Sequence, residues 1–272
     1  MLAGLGASMD DEAFFRAEGG AYFANPISAG PWRAQSLMGR CVTGLFGYEI
    51  ERRHMTEGFV PARLTVELYD LADFTAITVE TRLLRDGGRV RLVEADLICG
   101  GQARARATCQ LLRHTEAPGG NVWSPPEWDA ATPDQLQDEA TRWKWHLRVA
   151  GGEMGTFGRK RVWLKDYRTL VAGVPLSPFV QAAMACDSVS PFTHGGDRGV
   201  EYINTEATMY LHRAPRDGWI GFDVADHQAT DGLAIGQARL YDLHGPIGFA
   251  SAAALAQRRP PGMTPGVGTS EK

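Results

Sequence analysis

The feature that most constrains this chain is that its two halves repeat one another. Laid over itself at an offset of about 143 residues, the sequence brings Thr65 onto Thr208, Ala95-Asp96-Leu97 onto Ala238-Arg239-Leu240, and Ala107 onto Ala250. The turn Asp86-Gly87 meets Asp231-Gly232 with a small slip, and Gly101 lies near Gly245-Pro246. One such landmark can arise by chance, whereas several in the same order point to two copies of one supersecondary unit. A chain of 272 residues has room for two domains of roughly 100–150 residues each. The expected division is an N-terminal module over 15–113, a linker over 114–142, a C-terminal module over 143–258 and a disordered tail over 259–272.

Each copy reads as a helix followed by antiparallel strands. Arg63 to Tyr69 alternates apolar and polar residues, the period of a half-buried strand. Ile77 to Arg85, Val90 to Cys99 and Ala103 to Arg113 follow, separated by the turns Asp86-Gly87-Gly88 and Gly100-Gly101. Turns this short require antiparallel neighbours. Ahead of them, Trp32 to Arg53 has apolar residues at helical spacing, with Leu37, Cys41, Leu45 and Tyr48 on one face. Gly39, Gly44 and Gly47 each weaken an isolated helix by up to ~1 kcal/mol relative to Ala; close approach of another element is the expected compensation. The second half predicts a helix over Leu176 to Ser190, with Ser177 as N-cap and Pro178 in the first turn. Strands are expected at Glu206 to Arg213, Trp219 to Gln228, Leu233 to Asp242 and Ile247 to Gln257. Between the halves, Glu116 to Gln137 is rich in Pro and Gly and reads as linker, with a turn of helix near its end. Trp143 and Trp145 are expected to pack against the sheet.

Composition narrows the function. A net charge of -4 with no long basic stripe argues against nucleic acid as partner. Cys41, Cys99, Cys109 and Cys186 lack C-x-x-C spacing, so free thiols packed inside the fold are expected rather than a zinc site or disulfides. Met1 to Ser8 is too brief and lacks the basic start of a signal peptide. No stretch approaches the roughly 20 apolar residues of a membrane span. A cytoplasmic protein without membrane partner, metal or cofactor is the expectation.

A helix wrapped by an antiparallel sheet is the hotdog arrangement. The stretches Pro61 to Leu68, Arg82 to Ala95 and Ala103 to Ala107 resemble the first module of the double-hotdog acyl-CoA thioesterase-like family, to whose wider group bacterial thioesterase II belongs. Val162-Trp163-Leu164, Leu170 to Gly173, Leu176-Ser177-Pro178 and Leu211-His212-Arg213 resemble the matching segments of the second module. The resemblance covers about Ala29 to Ala256 and rests on the ordered set, no single motif being diagnostic. It implies an α+β tandem hotdog that hydrolyses a thioester carried by coenzyme A or an acyl carrier protein, with the acyl chain between the two helices and the sheet. Further dimerisation is compatible with it.

In such enzymes an aspartate late in the second helix, a Thr, Ser or Asn at the start of the next strand, and a Gln on the final strand hold the attacking water. The resemblance puts Asp187 in the first position and Asn204 in the second. The third falls at Ala252 or Ala253, with Ser251 or Gln257 as substitutes, and Leu37-Met38-Gly39-Arg40 stands where many relatives carry His-Gly-Gly. Gly39 and Arg40 at one helix and Phe179 and Val180 at the other are the candidate places for backbone N–H groups that bind the thioester carbonyl. Asp187 can equally be a helix-end residue bonded to a loop, and Asn204 a strand cap. Because the Gln is missing, the alternative function is a double-hotdog protein that binds an acyl or polyketide-like ligand, or runs a non-hydrolytic reaction in the same pocket. Cys186 has no adjacent base and reads as packing; the serines lack a G-x-S-x-G setting. His194-Gly195-Gly196 follows the helix and reads as a loop, and His212 as surface or interface.

Overall fold

The computed structural model describes residues 13–124, 128–138 and 144–257. Trp143 and the expected tail over 259–272 therefore lie outside the described residues. The first half contains β1 (Phe15–Glu18), β2 (Ala21–Ala24), α1 (Gly39–His54), β3 (Phe59–Leu68), β4 (Ile77–Asp86), β5 (Val90–Cys99) and β6 (Gln102–Arg113). The second contains β7 (His146–Gly151), β8 (Arg161–Lys165), α2 (Pro178–Cys186), α3 (Val189–His194), β9 (Gly195–Gly196) and β10 (Gly199–Val200). It continues with β11 (Tyr202–Asn204), β12 (Glu206–Leu211), β13 (Ile220–Thr230), β14 (Leu233–Asp242) and β15 (Gly245–Ala256).

All strands but the β9–β10 hairpin form one 13-stranded sheet in the order β1-β2-β4-β5-β6-β3-β12-β15-β14-β13-β8-β7, with β11 on β15. The order is palindromic about the β3–β12 seam, as a repeated unit related by a two-fold axis requires. At the seam Thr65 lies opposite Thr208, whose hydroxyl donates to that of Thr65 at 3.1 Å. Ala95 pairs with Ala107 as Ala238 pairs with Ala250. The seam also joins what would otherwise be two exposed strand edges. Every strand expected from the sequence is present, its ends shifted by a few residues. The short edge strands β1, β2, β7 and β8 were not anticipated as strands. The first of these ties the chain start to the second half: the N–H groups of Phe14 and Phe15 donate to the carbonyls of Thr169 and Leu170 at 3.1 and 2.9 Å.

The helices lie on the inner face. The glycines of α1 are where α2 comes closest: a methyl at Gly47 would stand 2.6 Å from Ala183 Cβ, and one at Gly44 2.6 Å from Met184 Cγ. The close approach expected of these glycines is thus to the partner helix. Two helix boundaries differ from expectation. α1 begins at Gly39 rather than Trp32 because Gln35 takes a left-handed backbone, φ 61°, which ends any helix through it. The second helix is broken into α2 and α3 at Asp187-Ser188. Pro191 causes the break: it has no N–H to give the carbonyl four residues back, which is that of Asp187, and its ring crowds that carbonyl.

α3 packs on β13–β15 through missing side chains. Gly236 on β14 leaves space for Thr193, whose Oγ1 lies 2.3 Å from where a methyl would be and whose Cβ lies 2.5 Å from it. Gly236→Ala is therefore expected to destabilise the fold by about 1–3 kcal/mol through overpacking. A urea unfolding midpoint unchanged from the parent would refute this account of the α3 seat. All four cysteines are free and buried. In the linker region Trp128 stacks on Trp163 at 4.7 Å, and a single 3-10 turn spans Pro133–Gln135.

Candidate active site

The break between α2 and α3 turns the Asp187 side chain toward the start of α1. A methyl at Gly39 would lie 2.3 Å from Asp187 Oδ1 and 2.7 Å from its Cγ, so only glycine allows the approach. The backbone N–H of Arg40 donates to the Asp187 carboxylate, and Asn204 Nδ2 donates to Oδ1 at 3.0 Å. First-turn N–H groups of a helix lack intrahelical acceptors and carry partial positive charge, so a carboxylate here is a favoured partner. Even so, burial holds the Asp187 carboxyl above the ordinary carboxylate range. The Asn204 hydrogen bond, the Arg40 charge and the Arg40 N–H oppose that shift without cancelling it. Asp187 nevertheless keeps partial solvent access, so water can reach it. The arrangement is an enclosed base with a neutral amide fixed beside it.

Arg40 turns away from this point. Its Nη2 holds both oxygens of Asp166 at 2.8 Å, its guanidinium lies 4.0 Å over the Trp145 ring, and the pair is buried. Burial pushes Asp166 upward in pKa and the Arg40 charge pulls it back only in part. This ion pair was not anticipated; a lone Arg and a lone Asp 126 residues apart carry no local signal. Phe179 is buried at the start of α2 beside Gly47, which puts it in the helix–helix contact. The N-cap role of Ser177 is as expected, its hydroxyl accepting from Val180 N–H at 3.1 Å; it also donates to Glu51 at 2.5 Å.

The last strand resolves which residue stands nearest the missing Gln. Ala250, Ala252 and Ala254 are buried, so they share the inner face, and alternation sends Ser251 and Ala253 to the other. Ala254 lies directly opposite Asn204 in the ladder. Ser251 pairs with Thr208 across the outer face, and the structure does not bring it to Asp187. Gln257 lies just beyond β15 and is exposed. Further along the inner face, His194 Nδ1 lies 3.0 Å from His227 Nδ1, a contact in which one ring must be neutral to accept. Burial and His227 push His194 down to about 4, so it is the uncharged partner at neutral pH. Cys186 is buried and its thiol is raised further by Asp187 and Glu206, which keeps it protonated and suits packing rather than nucleophilic attack. His212 is exposed, its Nε2 2.9 Å from the Pro246 carbonyl oxygen.

The family model for the acyl-CoA thioesterase C-terminal domain matches residues 117–254, just over half of the sequence. The chain belongs to the acyl-CoA thioesterase family. This membership places it among enzymes that hydrolyse acyl-CoA thioesters. Solved thioesterase structures share its fold. An acyl-CoA thioesterase II of Mycobacterium marinum is 17% identical, with a TM-score of 0.62 over 94% of this chain and 100% of that one. A TesB protein of Mycobacterium avium subspecies paratuberculosis is 14% identical, with a TM-score of 0.68 over 90% of this chain and 96% of that one. A protein with hot dog fold from Alicyclobacillus acidocaldarius, 14% identical, gives 0.68 over 94% and 100%. At such identities the likeness speaks for the fold alone. No curated protein matches the sequence. Among the described residues of this thioesterase no helix is long and apolar enough to cross a membrane, and no group of three or more His, Cys, Asp or Glu could hold a metal ion.

Proposed function

We propose that the protein hydrolyses acyl thioesters with water activated by Asp187 and oriented by Asn204, the substrate being acyl-CoA or the thioester of an acyl carrier. The observation that carries the reading is the 3.0 Å Asn204–Asp187 hydrogen bond at the N-terminus of α1. Ionised Asp187 takes a proton from water as the water oxygen bonds to the carbonyl carbon. Charge gathers on the carbonyl oxygen, for which the first-turn N–H of Gly39 is the candidate donor, the Arg40 N–H being held by Asp187. Collapse breaks the C–S bond, and the leaving thiolate takes the proton from Asp187, which returns to its ionised form. A carboxyl raised above its ordinary value by burial is a stronger base than a solvated one. In this reading 15–113 and 143–258 act as two modules, the first supplying the helix start and the second the carboxylate and amide.

A second reading is favoured by one observation. The inner-face position at Ala252 offers no hydrogen-bonding side chain, so the pocket could bind an acyl or polyketide-like ligand without hydrolysing it. Free-thiol release from acyl-CoA esters of short to long chain at neutral pH separates the two. Hydrolysis is expected, reduced on the order of 10²- to 10³-fold in Asn204→Ala if the amide acts like one fixed hydrogen-bond donor. A well-folded protein with no turnover on the whole panel would favour the second reading.

A further inference from the structure

We propose that the cleft beside Trp219 binds the phosphorylated adenosine end of the coenzyme A carrier; the proposal rests on the acyl-CoA reading above. The cleft, of about 430 Å³, is lined by Trp219, Arg148, Lys165, His146 and Asp134, with Pro133 and Leu243 as apolar walls. The Trp219 ring is a flat surface with two cations against it, the Arg148 guanidinium at 5.0 Å and the Lys165 ammonium at 5.7 Å from its centroid. Phosphate oxygens are met by the cations held over that ring, and a planar base packs beside them against the aromatic surface.

The charges are divided in a way that leaves one cation unspent. Arg148 donates to Asp138 at 3.4 Å and to the Pro133 carbonyl, and its Nε is buried without a partner. His146 is held by Asp138 at 2.6 Å. The Asp134 carboxylate accepts the Thr132 hydroxyl. The Lys165 ammonium, by contrast, makes no hydrogen bond or ion pair with any described residue and lies 5.7 Å from the Trp219 ring centroid. Arg168, stacked on Tyr167 at 4.3 Å, adds a further cation behind His146, which lies 4.9 Å from Tyr167. An unpaired ammonium beside an aromatic face suits an anionic ligand with a planar group, in a protein whose overall charge is -4.

The position also fits a substrate whose other end reaches Asp187. His146 and Lys165 are cross-strand partners on β7 and β8. Their chain neighbours Trp145 and Asp166 turn to the opposite face and hold Arg40, whose backbone N–H donates to Asp187. A ligand seated on Trp219 is therefore separated from the site by the edge of two short strands, which the long flexible pantetheine arm of coenzyme A can cross.

The test is calorimetric titration of the full chain with adenosine 3′,5′-bisphosphate, paired with hydrolysis kinetics. Binding is expected in the parent protein and weakened at least about 10-fold in Lys165→Glu and in Trp219→Ala, the loss of one good contact. In Lys165→Glu the KM for acyl-CoA is expected to rise about 10-fold relative to that for the same acyl group on N-acetylcysteamine, which lacks the nucleotide. No binding of the bisphosphate to the parent, or equal changes in KM for both thioesters, would overturn the proposal while leaving the hydrolase reading intact. Failure to hydrolyse either thioester counts against the hydrolase reading alone, and the titration then decides the nucleotide site by itself.

Discussion

Asp187→Asn is expected to lower kcat for acyl-CoA hydrolysis by a factor of about 10²–10⁴, the usual contribution of a positioned general base, while leaving the protein folded. The amide has the size of the carboxylate and can still accept a hydrogen bond, but it cannot take a proton from water. In the parent, the rate should fall as pH drops through the Asp187 pKa, and because that pKa is raised the acid limb should lie above the ordinary carboxylate range near 4.

Stability supplies an independent check with a definite sign. A carboxyl whose folded pKa exceeds its unfolded value contributes stability that is present below the unfolded pKa and lost as pH rises through the folded pKa. At neutral pH ionised Asp187 is therefore a cost of folding, and Asp187→Asn removes it. The variant's Tm should match or exceed that of the parent at pH 7, the gain shrinking toward pH 4. A Tm several degrees below the parent at pH 7, with hydrolysis little changed, would make Asp187 a helix-end structural residue and end the proposed mechanism.

The strands were legible because the sheet imposes a period of two wherever one face is buried, and the 143-residue repeat was legible because both modules obey it. That is why Thr65 and Thr208, matched as sequence equivalents, meet at the seam. The edge strands were not legible: β7 and β8 are 6 and 5 residues long, and β8 is buried at three consecutive positions, so it does not alternate. The break at Asp187 had a signal in Pro191, which a single helix over Leu176 to Ser190 leaves out of account; counting four residues back identifies the carbonyl that loses its donor. Asp187 and Asn204 were named through family resemblance, not from spacing, since residues 17 apart on different elements share no local pattern. Ser251 illustrates the opposite case, where one residue of strand register decides which face a side chain reaches. Arg40 was named as a candidate for its backbone, and its side chain proved to have a separate partner in Asp166.

That partner makes Arg40 the position with the largest expected effect on stability. Arg40→Met keeps much of the side-chain volume over Trp145 but strands the Asp166 carboxylate, which is 7% exposed. Removing one member of a buried ion pair costs about 3–5 kcal/mol because the remaining charge has lost its counter-ion. For a chain of this size each kcal/mol moves Tm by about 2–4 °C, so a fall of roughly 6–20 °C is expected at pH 7. The sign with pH follows from Asp166, whose folded pKa is already raised by burial and rises further without Arg40. The destabilisation should therefore be largest at neutral pH and diminish as acid protonates Asp166. Adding Asp166→Leu to Arg40→Met should recover most of the loss, since a buried pair can be replaced by apolar groups at little cost while half a pair cannot stand. If the double variant were no more stable than Arg40→Met, the loss would come from packing against Trp145 rather than from the stranded charge. The same substitution removes a positive charge that lowers the Asp187 pKa, so any residual hydrolysis should show its acid limb at higher pH than in the parent.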